Sequence, residues 1–380
     1  MPKKLAIIGA SHFQEPLIQA AKRRGIETHV FAWQCGDVGE ESADFFYPIS
    51  ITERDAILEE CRRIGVDGVV TIGSDLGNAT AGYVANRLGL VANSDECLLN
   101  STNKKAMRAA FERGGDPSPR CTTAQELEQG GSFDLSFPVI VKPADRSGSR
   151  GVTKVFGPDQ LAGAIERARS EGFDGQVMIE EFARGREFSF EFISWEGQHH
   201  FLAATEKFTT GAPSFIEKGH LEPARLDEAT LQRAIAVISH ALDSLGVRYG
   251  ASHPEIKIDE EDSIRIIEIG SRMGGDCIGS HLVQLSTGYD FVGAVIDVAL
   301  GIEPPMPDGA PKNHAAIRFV FDKDDLEALE ALKADGSVEL CVESPIQPFS
   351  HEVTDSSTRF GFYIFSSPHL SALEKYLPLN

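Results

Sequence analysis

Pro138-Val-Ile-Val-Lys142-Pro-Ala-Asp-Arg-Ser147-Gly148-Ser149-Arg150-Gly151-Val152 decides how the rest of the chain is read. It is a short apolar strand ending in a lysine, then a glycine-bearing loop, then the start of a second strand. Glycine permits tight backbone paths and close approach to a ligand. Lys142 and Arg150 supply positive charge, and the loop N–H groups supply donors, which together suit a polyphosphate. The common phosphate loop, G-x-x-x-x-G-K-[ST], occurs nowhere in the chain. An ordinary glycine-containing hairpin has the same outline, so the reading depends on what flanks it.

Upstream, residues 1–100 alternate strand and helix signals. Strands are expected at Leu5–Ile8, Thr28–Phe31 and Gly68–Ile72, with helices at Glu15–Arg24, Arg54–Ile64 and Ala79–Leu88. Short apolar runs separated by helical stretches imply βαβ units and a parallel sheet. Gly9-Ala-Ser-His-Phe-Gln follows the first strand, where a dinucleotide fold would carry G-x-G-x-x-G. Two of the three glycines are missing, which argues against a nicotinamide cofactor. Ser11, His12, Ser74 and Asp75 fall at carboxyl ends of these strands, where ligands bind but where caps and turns are also built.

Downstream, strands are expected at Val152–Phe156, Val177–Phe182 and Phe188–Ser194, and helices at Asp159–Ser170 and Glu228–Leu245. Periodicity disappears between Thr205 and Pro223, which reads as a long functional loop. Gly250–Ile258 and Ser263–Ile269 read as paired strands across an acidic turn, with Ile264, Ile266 and Glu268 on one face by the period of two. Glu255 and Glu268 would then lie together. A carboxylate within an apolar strand needs a partner or a metal. Two such groups make a hard-oxygen site for Mg²⁺ carrying a nucleotide phosphate, or salt bridges such as Glu268 with Arg272 or Lys257.

These residues in this order resemble the ATP-grasp superfamily, over nearly the whole chain. Asn103-Lys104-x-x-Met107 and Lys142 are similar to the two lysine segments that reach ATP. Ser147-Gly148-Ser149-Arg150-Gly151 resembles the loop that closes over the phosphates. Glu180-Glu181-Phe182-Ala183 matches the hinge that holds adenine, and Glu187 the glutamate on the ribose. Glu255 and Glu268 match the magnesium ligands. Arg272 matches an arginine that steadies the γ-phosphate and an acyl-phosphate. One position departs: Gly270 stands where many members carry an asparagine that also ligates metal.

The segment Thr205-Glu-Lys207 through Glu217-Lys-Gly-His220, with Glu268-Ile-Gly-Ser-Arg272-Met-Gly-Gly-Asp276, resembles L-amino-acid ligases of the branch similar to the carbamoyl-phosphate synthase large chain. The resemblance implies an α/β ATP-grasp fold with four parts. These are a parallel-sheet domain at 1–100, a central lobe with the glycine loop at 101–185, a lobe with the metal site at 186–310, and a small α/β portion at 311–380. It implies ATP and Mg²⁺ (or Mn²⁺ in its place) as cofactors and a carboxylate and an amine as small-molecule substrates. The reaction would be a ligation through an acyl-phosphate. Lys207 joins the nucleotide set, while Glu217 and His220, with Lys142 and Arg272, join the catalytic one. Glu217 read alone is equally a solvated loop charge, and His220 a satisfied loop histidine. Activation of bicarbonate or formate, a phosphotransferase and a silent nucleotide sensor remain as rivals. Dimerisation through the first domain is implied by analogy alone.

Composition bounds the partners. The 380 residues carry 36 Lys and Arg against 57 Asp and Glu, a formal net charge of −21. That excludes a general nucleic-acid or anionic-membrane surface, which needs clustered cations. No apolar run approaches the roughly 20 residues that span a bilayer. The first apolar run ends at Ala10, too short for a secretory signal. Cys35, Cys61, Cys97, Cys121, Cys277 and Cys341 are scattered without C-x-x-C, so a cytoplasmic protein with free thiols is expected.

Overall fold

The computed structural model describes residues 2–146, 148–307 and 311–378. Three sheets organise them. The first is parallel, in the order Phe45–Tyr47, Glu27–Phe31, Lys4–Ile8, Gly68–Val70. Both of its faces are covered, as a parallel sheet requires. Leu5 and Ile7 pack with Leu17 and Ile18 of helix Glu15–Arg23 and with Phe291 and Val295 of helix Phe291–Ala299. Ala6 and Ile8 point the other way, onto Ile57 of helix Arg54–Ile64 and Val84 of helix Asp75–Leu88. The alternation along one strand thus builds two cores. One of them draws a helix from more than 200 residues downstream.

The second sheet is antiparallel, ordered Cys121–Thr123, Val177–Glu181, Val139–Pro143, Thr153–Val155. Val139, Val141 and Ile179 pack on Ala164 and Ala168 of helix Pro158–Glu171. Lys142 therefore sits in the strand, with the glycine loop leaving its end.

The third sheet has eight antiparallel strands. Their order is Ile264–Gly270, Gly250–Ile258, Arg186–Trp195, Gln198–Thr209, Glu217–Glu222, His314–Phe319, Phe362–Ser367, Glu339–Glu343. The last three strands come from the C-terminal stretch and continue the same sheet. Helix Glu228–Leu245 covers one half, burying Ala234, Ile238 and Leu242 against Phe188, Phe190 and Ile266. Its start is capped by Asp227, which accepts from Thr230 N at 3.0 Å. Its end is Gly246 at φ +82°, a left-handed position suited to glycine.

Two sequence expectations change here. The segment expected as a loop over Thr205–Pro223 is mostly strand, and only residues 210–216 connect Gln198–Thr209 to Glu217–Glu222. Thr205, Glu206, Lys207, His220 and Glu222 are all buried. A strand buried on both faces with paired polar groups has no alternation to read. The second change is a β-bulge in Ile264–Gly270. Glu255 pairs with Glu268 but Ile256 pairs with Ile266, leaving Ile267 as the extra residue. The bulge reverses the alternation. Ile264, Ile266 and Ile269 face the core, while Ile267 and Glu268 face a cavity. Glu268 does not share the face of Ile264 and Ile266.

The described cysteines are all free; Cys61, Cys97 and Cys277 are buried in three different cores. Among the described residues, no helix is long and apolar enough to cross a membrane.

Candidate active site

Two adjoining cavities, of about 200 and 230 Å³, lie between the second and third sheets and the tip of the first. They share Gly148, Arg150, Glu217, His253, Glu255 and Arg272. Strand alternation explains one wall: His253, Glu255 and Lys257 line the first cavity, while Ile256 and Ile258 go to the core.

The first cavity brings together most of the residues that the sequence suggested for a nucleotide. Lys104, Lys142, Gly148, Ser149, Arg150, Glu180, Glu181, Phe182, Ala183, Glu187, Glu255, Glu268 and Arg272 line it, with Glu217 at the junction. Lys207 and His220 line the second cavity instead, and Gly151 lines neither. Ser147 lies outside the described residues.

The cations are held by carboxylates. Lys104, the first residue of helix Lys104–Gly114 after the cap Asn103, donates to Glu268 Oε1 at 2.9 Å and Arg146 O at 2.8 Å. Lys142 Nζ lies 2.7 Å from Glu180 Oε2. Glu180 also meets Arg108 Nε at 3.0 Å. Burial alone would raise the Glu180 carboxyl, but Arg108 and Lys142 hold it down to about 2. Its charge is therefore committed to two cations. Arg108 escaped sequence reading, although its place one turn after Lys104 on the same helix face was the available signal. Glu181 instead pairs with Arg120 at 2.5 Å.

Lys207 is the hub of the opposite wall. Its Nζ lies 2.9 Å from Glu255, 3.2 Å from Glu187 and 3.6 Å from Glu217. Burial opposes its charge, yet these three carboxylates raise its pKa well above the ordinary lysine value. His253 lies between Glu191, which meets its Nδ1, and Glu255, 3.3 Å from its Nε2. Burial would lower it, but Glu191 and Glu255 push its pKa up to about 9, so His253 carries a proton at neutral pH. Glu255 is held well below the carboxylate range: burial is outweighed by Lys207 and His253. Glu268 pairs with neither Arg272 nor Lys257; Lys257 lies 3.5 Å from Glu187.

Glu255 and Glu268 face each other directly across the strand pair and both line the first cavity. Two carboxylate donors suit a hard divalent cation that takes its remaining ligands from water and phosphate. Among the described residues, no group of three or more His, Cys, Asp or Glu has metal-holding geometry.

The second cavity includes Arg359, which no motif announced, beside Asp276 from the quoted Glu268–Asp276 segment. Asp276 accepts from Arg359 Nη2 at 2.6 Å and Nη1 at 3.0 Å, with His220 Nε2 at 3.5 Å. Asp276 and Cys277 both have positive φ, +50° and +61°, an unusual pairing for two non-glycine residues. Burial keeps His220 neutral, with Asp276 opposing. Ser356 donates to Glu217 Oε2 at 2.7 Å. The glycine loop and the 210–216 connection meet over the site, where Ser149 Oγ donates to Phe215 O at 3.2 Å.

Residues 135–280 match the ATP-grasp domain family model. The chain is 25% identical to alanine–anticapsin ligase of Bacillus subtilis over 310 residues, which is 72% of this chain and 65% of that protein. It is 27% identical to an uncharacterized Sinorhizobium fredii protein over 289 residues, 73% of this chain and 58% of the other. The chain thus spans less than two thirds of the length of these curated relatives. In fold it resembles the crystal structure of L-amino acid ligase from Bacillus licheniformis, with TM-score 0.82 and 24% identity over 98% of this chain and 95% of that one. A parallel sheet thus precedes antiparallel lobes, and residues 135–280 within those lobes are similar to the ATP-grasp domain.

Proposed function

We propose that the protein is an ATP- and Mg²⁺-dependent ligase that activates a carboxylate as an acyl-phosphate and joins it to an amine, with an amino acid among its substrates. The observation that carries this reading is the junction of the two cavities at Arg150, Glu217, Glu255 and Arg272. One cavity is lined by lysines, a glycine loop and paired carboxylates. The other, opening from the same arginines, has room for a second molecule. The relatives named for ligating amino acids favour an amino-acid substrate.

A carboxylate does not react with an amine at neutral pH because oxide is a poor leaving group. Transfer of the γ-phosphoryl group to the carboxylate oxygen gives an acyl-phosphate and ADP. Attack of the amine on the acyl carbon then expels phosphate. Lys104, Lys142, Arg150 and Arg272 neutralise charge on the transferring group. Glu255 and Glu268 would hold Mg²⁺, which supplies further neutralisation at the phosphate oxygens. The glycine loop, tied to Phe215 through Ser149, excludes water that would hydrolyse the intermediate. The amine must lose a proton. His220 is neutral through burial, the state a base requires, and stands with Glu217 and the departing phosphate as acceptor.

The test is ADP release from ATP and Mg²⁺ over a grid of single amino acids and pairs, with products weighed by mass spectrometry. A product lighter by one water than two partners together establishes ligation. Phosphate on a single partner, or ADP released only with bicarbonate or formate, overturns the reading.

A further inference from the structure

The contact between the first sheet and Arg272 is closer than packing requires. Arg272 Nε donates to Asp75 Oδ1 at 2.7 Å and Nη2 to Oδ2 at 2.8 Å. Asp75 is the first residue of helix Asp75–Leu88, whose cap Ser74 accepts from Gly77 N. The residues beside the pair are gripped as well. Gly73 N donates to Met273 O at 3.2 Å, and Asn78 Nδ2 to Ser271 Oγ at 3.0 Å. Residues 271–273 are thus held at three successive points by the turn and first helical turn that follow strand Gly68–Val70.

Gly270 adds a second observation. A Cβ there would stand 3.2 Å from Arg272 Cζ and 3.2 Å from Asp75 Oδ1. The Asp75–Arg272 pair fills the volume that a side chain at 270 would need. Asp75 and Arg272 also retain 18% and 14% side-chain exposure, both at the second cavity, so the pair borders the site rather than lying in a closed core. Three of the five guanidinium hydrogens go to Asp75 and Met273 O, leaving one on each Nη for a bound anion.

We propose that Asp75 is a positioning residue that fixes the guanidinium plane of Arg272 toward the terminal phosphate, so that the first domain is part of the phosphate-transfer site. This rests on the nucleotide reading of the first cavity. A bidentate carboxylate fixes both position and orientation of an arginine, and a preorganised donor needs no rearrangement when charge develops. The opposite role, a counter-charge that weakens anion binding, predicts the opposite sign on removal.

The test is calorimetric binding of Mg²⁺ with ADP, and of Mg²⁺ with β,γ-imido-ATP, to the full chain and to Asp75→Asn. If Asp75 positions Arg272, the preference for the triphosphate analogue falls about tenfold, as for loss of a charge-assisted hydrogen bond, while ADP affinity changes less than about twofold. Gly270→Ala, which presses on the same pair, lowers the preference likewise. The double variant loses less than the sum of the two, because both act through one contact. Gly270→Ala carries the test alone where thermal melting shows Asp75→Asn to be unfolded. A preference that is unchanged or increased in the folded variant overturns the proposal and leaves the nucleotide reading standing. Failure of the unaltered protein to bind either nucleotide removes both.

Discussion

Glu268 reaches the cavity only because Ile267 is extra to the strand, and it is held there by Lys104. Glu268→Gln keeps the shape and removes the charge that would hold Mg²⁺. Turnover of ATP is expected to fall by at least about 100-fold, the range for loss of a preorganised charge at a transfer site. Normal ADP release by this variant would sink the metal assignment. Gly185 makes a structural prediction of the same sharpness. It has φ +105°, and a Cβ there would lie 2.1 Å from Ile258 O. Gly185→Ala is expected to destabilise the protein by more than about 2 kcal/mol through combined strain and clash, read as a lower urea midpoint with an unchanged slope.

At the scale of elements, helix Glu228–Leu245 depends on its two ends as well as its buried face. Asp227→Ala removes the bond to Thr230 N and should cost about 1 kcal/mol in equilibrium unfolding. This helix was legible from sequence to the residue, because an apolar stripe, an N-cap aspartate and a terminal glycine all agree. Three of the four strands of the parallel sheet were legible as short apolar runs punctuated by helices, whereas the short edge strand Phe45–Tyr47 was not. The strands Gln198–Thr209 and Glu217–Glu222 were not, because their buried polar residues are satisfied by partners far away in sequence. Thr205 donates to Glu222, and Glu206 pairs with Arg225 and Arg186. Strand alternation also misplaced Glu268, since one inserted residue changes the face and leaves no mark in composition. Most residues lining the first cavity were named through the resemblance of the lysine, glycine-loop and glutamate motifs to the ATP-grasp superfamily. Asp75 with Arg272 and Asp276 with Arg359 were not readable as pairs, because only the assembled sheets bring them together.

For the whole molecule, stability should depend on pH through Glu222. Burial pushes its pKa from 4.5 up to about 8, while hydrogen bonds with Ser286 and Thr205 pull the other way. The folded state therefore keeps a proton that the unfolded chain releases. The contribution is fully present below about pH 4.5 and is lost as pH rises toward 8, a change on the order of a few kcal/mol. Glu222→Gln, which cannot ionise, should flatten that fall in denaturant midpoints between pH 5 and 8; an unchanged slope would contradict the assignment. The net charge of −21 makes a separate forecast. Moderate salt should raise the melting temperature by screening self-repulsion. The buried thiols have a consequence of another kind. Burial pushes Cys61, Cys97 and Cys277 up to about 12, so each is inert until its surroundings open. One lies beneath the parallel sheet, one under helix Glu228–Leu245, and one beside the strained turn at Asp276. The molecule thus carries three built-in clocks. Their separate alkylation rates would tell whether the parts around the site breathe together or one at a time.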